Sequence, residues 1–69
     1  MSKEQKTASE LEVMIRNRLG ENIALNVRVD RLVDWVANVF GPPGTILKYQ
    51  MHVDSIAGRL RGRFGLKKN

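Results

Sequence analysis

IALNVRVDRLVDWVANVF, residues 23–40, is the stretch that decides the fold. In its first part Ile23, Leu25, Val27 and Val29 alternate with Ala24, Asn26, Arg28 and Asp30. A period of two sends successive side chains to opposite faces, so this is a half-buried β-strand. From Val33 to Phe40 a second β-rich run sets Val33, Trp35, Ala37 and Val39 against Asp34, Val36, Asn38 and Phe40. Its two faces are less cleanly separated, which predicts cover on both. The pair reads as a hairpin, although Asp30-Arg31-Leu32-Val33 holds no Gly or Asn-Gly and signals no tight primed turn. Trp35 falls on the face expected to be buried. Core packing is its first reading, and an exposed stacking platform for bases is the alternative.

On either side the period becomes helical. Thr7-Ala8-Ser9-Glu10 has the form of a capping box, in which the Thr hydroxyl and the Glu carboxylate each satisfy the other residue's amide. Ala8, Leu11, Met14, Ile15 and Leu19 follow at helical spacing, with Glu12 and Arg16 as an i,i+4 pair outside and Gly20 placed for a left-handed cap. Beyond the hairpin, Gly41-Pro42-Pro43-Gly44 is a clear break, after which Thr45 is expected to cap a second helix. Ile46, Tyr49, Val53, Ile56, Leu60 and Phe64 make its apolar face. Gly58 and Gly62 lie opposite, where a neighbouring backbone could approach, and Gly65 is expected to end the helix with Leu66 folding back. The fold class is therefore α+β, with an α-β-β-α order: an antiparallel hairpin flanked by two helices. Residues 1–6 are expected to be a disordered N-terminus, 7–66 one domain and 67–69 a basic tail.

A chain of 69 residues without cysteine has no disulfide or thiolate site to staple it, and needs very efficient packing or a partner subunit. Two strands alone make a marginal sheet. A homodimer would complete a four-stranded antiparallel sheet and hide the strand edges. The polar start, MSKEQKTASE, has no apolar signal region, and no apolar run approaches the ~20 residues that cross a bilayer. The expected setting is the cytoplasm, with no membrane span.

Ala8, Glu10-Leu11, Ile15, Val27-x-Val29, Trp35 and the closing phrase Ile56…Leu60-Arg61…Phe64-x-Leu66 together resemble a group of short uncharacterised proteins from rhizobia and related bacteria. The resemblance spans roughly residues 7–66 and implies an opening helix, a hairpin carrying a Trp and a closing helix. It implies no activity. The chain departs from the group in having Leu32-Val33 where a polar or glycine turn is expected.

Residues with the chemistry for catalysis are few. His52 is the one histidine, and Asp54 and Ser55, its near neighbours, do not face it on a helix. Asp30 and Asp34 flank the hairpin tip without a recognised ligand spacing, and turn chemistry accounts for them. The Gly41–Gly44 loop lacks the lysine and serine or threonine of a phosphate loop, and its prolines remove amides. No catalytic, cofactor or metal residue is assigned, and no enzyme is expected.

Charge is the remaining signal. Arg59, Arg61, Arg63, Lys67 and Lys68 equal the net charge of +5, so residues 1–58 are neutral. At 100° per residue Lys48, His52, Arg59 and Arg63 share one edge of the second helix, with Lys67 and Lys68 as a tail, while Arg61 points towards the side of Asp54. Cations at a helix C-terminus are favoured by the macrodipole without any ligand. The same residues could instead contact nucleic-acid phosphates, though no base-reading side chain interleaves with them. A basic amphipathic helix at a membrane surface is a third use of the segment. The leading expectation is a small, non-enzymatic, dimeric protein-interaction domain. The alternative is non-specific nucleic-acid binding through Lys48, His52, Arg59, Arg63, Lys67 and Lys68.

Overall fold

Leu25, Val27, Trp35, Ala37 and Val39, all on one face of the hairpin, are buried. The computed structural model describes residues 3–67 and orders them as β1 (Glu4–Lys6), α1 (Ala8–Leu19), β2 (Leu25–Asp30), β3 (Asp34–Val39), α2 (Pro43–Arg61) and β4 (Phe64–Leu66). It is a small α+β domain. The α-β-β-α order is corrected to β-α-β-β-α-β, because a short strand is added at each end. β2 and β3 are antiparallel, with Leu25 opposite Val39 and Val29 opposite Trp35. β1 and β4 form a separate parallel pair, Glu4 to Phe64 through Lys6 to Leu66.

The capping box forms as expected. Glu10 donates its amide to Thr7 Oγ1 at 3.1 Å, and Thr7 donates its own to Glu10 Oε1 at 2.9 Å. Gly20 ends α1 with φ 76°, donating to the Arg16 carbonyl, a left-handed conformation in which glycine carries no steric cost. Leu11 and Ile15 from α1 meet Val53, Ala57 and Leu60 from α2 over the buried hairpin face. Trp35, Leu11, Ile15, Leu60 and Val53 are the largest fully buried side chains. The core reading of Trp35 holds.

The hairpin turns without glycine. Asp30 Oδ1 accepts from the amides of Leu32 (2.8 Å) and Val33 (3.1 Å), so a side chain closes the turn. Asp34 then takes φ 82°, the left-handed region that Asp tolerates better than most side chains. Arg31, Leu32 and Val33 are thus carried at the tip.

The expectations for the two ends of the chain change. Helix α2 begins at Pro43, before Thr45, because proline suits the first helical turn, where its missing amide leaves nothing unpaired. It ends at Arg61, and Gly62 donates to the Arg59 and Leu60 carbonyls in a right-handed conformation. Phe64 and Leu66 therefore leave the helix and pair with Glu4–Lys6, the segment expected to be disordered. The ladder extends to Lys67, whose amide donates to the Lys6 carbonyl at 2.7 Å. Trp35 adds a reason for the exchange: its indole Nε1 donates to the Phe64 carbonyl at 3.1 Å, and Leu66 is buried. Of the expected basic tail, Lys68 and Asn69 lie outside the described residues, as do Met1 and Ser2 at the other end.

Candidate functional site

The hairpin has two free edges, and side chains close parts of both. Phe40 donates to the Ala24 carbonyl, which sets the phase of the ladder. Even-numbered residues bond across the hairpin, and Leu25, Val27, Val29, Trp35, Ala37 and Val39 turn their amides and carbonyls outwards. On the β3 side Gln50 accepts from Val39 at 3.0 Å and donates to the Ala37 carbonyl at 3.2 Å, while Arg61 Nη1 donates to the Trp35 carbonyl at 3.1 Å. The Arg61 guanidinium also lies 5.7 Å from the indole centroid, within cation–π range. On the β2 side Glu12 Oε2 accepts from Val27 at 3.0 Å. Glu12 and Arg16 are thus turned to the β-segment rather than to each other, since Arg16 Nε donates to the Ile23 carbonyl. β2 keeps more unoccupied outward groups than β3.

The acids follow the same habit. Glu10 and Glu12 accept from amides, as do Asp30 and Asp34, the last from Leu66 at 3.4 Å. Asp54 accepts from Gln50, and Glu4 holds Lys6 at 2.8 Å, the one ion pair among the described residues. Six of the seven acids are therefore engaged by the chain's own donors. The Thr7 amide, and after it the Thr7 hydroxyl, hold the Glu10 carboxyl below its ordinary range. Glu4 hydrogen-bonds Lys6 and raises its pKa.

The sequence-derived basic residues do not all gather on one helix edge. Lys48, His52 and Arg59 are exposed on α2, with Lys48 Nζ 5.2 Å from the Tyr49 ring centroid. Arg63 sits beyond the helix, exposed, its guanidinium 5.7 Å from the Phe64 ring. Lys67 is exposed after β4, and Lys68 lies outside the described residues. The edge is corrected to three residues because the helix stops at Arg61.

Two open depressions flank α1. The first, bounded by Val13, Arg16, Asn17, Gly20, Glu21 and Asn22, has no nucleophile–base pair. The second brings Ser9 near Lys6, but an ammonium paired to Glu4 with a raised pKa is a poor base for a hydroxyl. His52 is exposed, and Asp54 is engaged with Gln50. Among the described residues no group of three or more His, Cys, Asp or Glu is placed to hold a metal.

Apolar exposure marks two places that charge reading missed. On α2, Leu47 and Met51 are each 80% exposed. They share an outward stripe with Gly44, Ser55 and Gly58, all exposed. At the hairpin tip Leu32 is 93% exposed, between Val29 and Val33, which are also exposed. The first was legible as a second, outward periodicity at residues 44, 47, 51, 55 and 58. The second was legible as an apolar pair in a turn. No family model, curated protein or solved structure matches this chain.

Proposed function

We propose that the chain is a small, cytoplasmic, non-enzymatic domain that acts through protein contacts as a homodimer. The outward stripe of α2 carries this reading. Two long apolar side chains one turn apart face solvent, and Gly44, Ser55 and Gly58 beside them let a second helix approach closely. A glycine inside a helix costs about 1 kcal/mol relative to alanine, which such an approach offsets. Lys48, His52 and Arg59 line one flank of the stripe and Asp54 the other. A parallel pair about a two-fold axis would bring Asp54 of one copy towards the basic flank of the next.

A four-stranded sheet is the other way to pair. It would join β2 to β2 of a second copy, because Gln50 and Arg61 occupy the β3 edge. Glu12 would first have to release Val27, whereas the α2 stripe needs no rearrangement. Equilibrium sedimentation of the chain and of Met51→Asp and Glu12→Ala separates the two. The helix contact predicts a dimer at micromolar concentration that Met51→Asp dissociates and Glu12→Ala leaves intact. A wild-type monomer would remove the dimer altogether.

The engagement of six acids favours a second reading, non-specific nucleic-acid binding, since among the described residues the exposed bases form no ion pair. NMR titration of labelled chain with duplex DNA at two salt concentrations should shift Lys48, His52, Arg59, Arg63 and Lys67. The shifts should weaken with salt and with Arg59→Ala/Arg63→Ala. No shift at low salt would exclude it.

A further inference from the structure

We propose that the β2–β3 turn is an anchor for an anionic lipid surface, an inference independent of the dimer. A solvent-facing cluster of aliphatic side chains rimmed by polar residues at the end of a hairpin marks an interaction site. Leu32, at 93% exposure, leads that cluster, with Val29 and Val33 beside it. The turn is built to present them, because Asp30 Oδ1 accepts from the amides of both Leu32 and Val33.

The charge around the tip says what covers it. Arg28 and Arg31 are exposed on either side of Asp30. The acids here, Asp30 and Asp34, hold the chain's own amides at Leu32, Val33 and Leu66. The bond from Leu66 to Asp34 also brings the end of β4 to the foot of the turn, so that Lys67 follows directly at this end of the molecule. An apolar tip rimmed by bases matches a layer of phosphates lying over hydrocarbon. Nucleic acid fits less well. Its phosphates would meet the arginines, but Leu32, Val29 and Val33 neither stack on bases nor hydrogen-bond to them. The contact is superficial, and no helix of the described residues is long and apolar enough to cross a membrane.

Flotation of the full chain with vesicles tests this, using phosphatidylcholine alone and phosphatidylcholine mixed with phosphatidylserine, at low and high salt. The chain should float with the mixed vesicles only, and less so as salt rises. Arg28→Ala and Arg31→Ala should each lower partitioning about fivefold, and Leu32→Asp about tenfold or more. Arg18→Ala, an equal loss of charge at an exposed position of α1, should change it little. Circular dichroism checks that each variant is folded. Absence of flotation at low salt overturns the proposal, as does undiminished flotation of Leu32→Asp, which would leave only diffuse attraction by bases. Capture by duplex DNA that depends on Arg28 and Arg31, without capture by vesicles, would assign the tip to nucleic acid instead. Loss of self-association in Leu32→Asp, without vesicle binding, would assign it to a second copy.

Discussion

Gln50→Ala tests whether one side chain closes the Ala37–Val39 part of the β3 edge. Gln50 is half-buried and bonds the Val39 amide at 3.0 Å, the Ala37 carbonyl at 3.2 Å and Asp54 Oδ1 at 2.8 Å. Each backbone bond contributes about 0.5–1.5 kcal/mol net, and a backbone group left without a partner costs about 1–3 kcal/mol when buried. Water reaches a half-buried site and supplies part of what is lost, which sets the expectation at about 1–2 kcal/mol. A domain of this size has only about 3–10 kcal/mol in total, and each kcal/mol moves Tm by roughly 4–8 °C. Urea unfolding followed through Trp35, the sole and fully buried tryptophan, measures the loss. The second readout is association. With Gln50 gone, Val39 and Ala37 offer an adjacent donor and acceptor to another strand, so sedimentation should show new concentration-dependent association, also in a Met51→Asp background. A stability change below about 0.5 kcal/mol together with unchanged sedimentation would refute the claim that Gln50 guards the edge.

Other perturbations test the remaining parts. Leu60→Ala empties a fully buried position between α2 and the hairpin. Its cost of about 2–5 kcal/mol, a large part of the total stability, should lower the urea midpoint and Tm markedly. Thr7→Ala removes the hydroxyl that caps α1 and should cost about 0.5–2 kcal/mol in urea unfolding. Glu10 has a depressed folded pKa, so its contribution is in place above its unfolded pKa and is lost as pH falls through the folded one. Glu10→Gln should therefore flatten the acid limb of the stability–pH curve, and an unchanged limb would show that the capping carboxylate is not linked to folding. Asp34 holds φ 82°, so Asp34→Val should cost about 1–3 kcal/mol in backbone strain, and Asp34→Asn distinctly less in the same urea assay.

What was legible in the sequence is what neighbouring residues decide. Helix α1 closes on Thr7, Glu10 and Gly20, whose bonds span three or four residues, and its ends follow the local pattern, whereas Glu12 and Arg16 reach to the β-segment instead of pairing. The hairpin was legible from its period, but its turn was not. Two aspartates do there what glycine does elsewhere, Asp30 through its carboxylate and Asp34 through its dihedral. The C-terminal segment was misread because Phe64 and Leu66 satisfy two patterns at once. Phe64 continues the helical spacing from Leu60, and Phe64-x-Leu66 also alternates like a strand. The choice falls to β1, from the opposite end of the chain and made only of polar residues. No window around either segment contains that pairing.

The charges show the same division on the functional side. A count gives +5 with the whole excess at Arg59 and beyond, and it treats every acid as a neutraliser of some base. In the folded chain only Glu4 does so among the described residues. Glu10, Glu12, Asp30 and Asp34 instead accept hydrogen bonds from backbone amides. Arg28, Arg31, Arg59, Arg63 and Lys67 are left exposed on longer stems. Under the lipid-surface proposal these exposed bases are what an anionic surface would meet, while those four acids are turned to backbone amides, and salt would screen the attraction. Chemistry that looked confined to the terminal segment thus extends to the hairpin tip, where Arg28 and Arg31 lie in a stretch whose formal charge is zero.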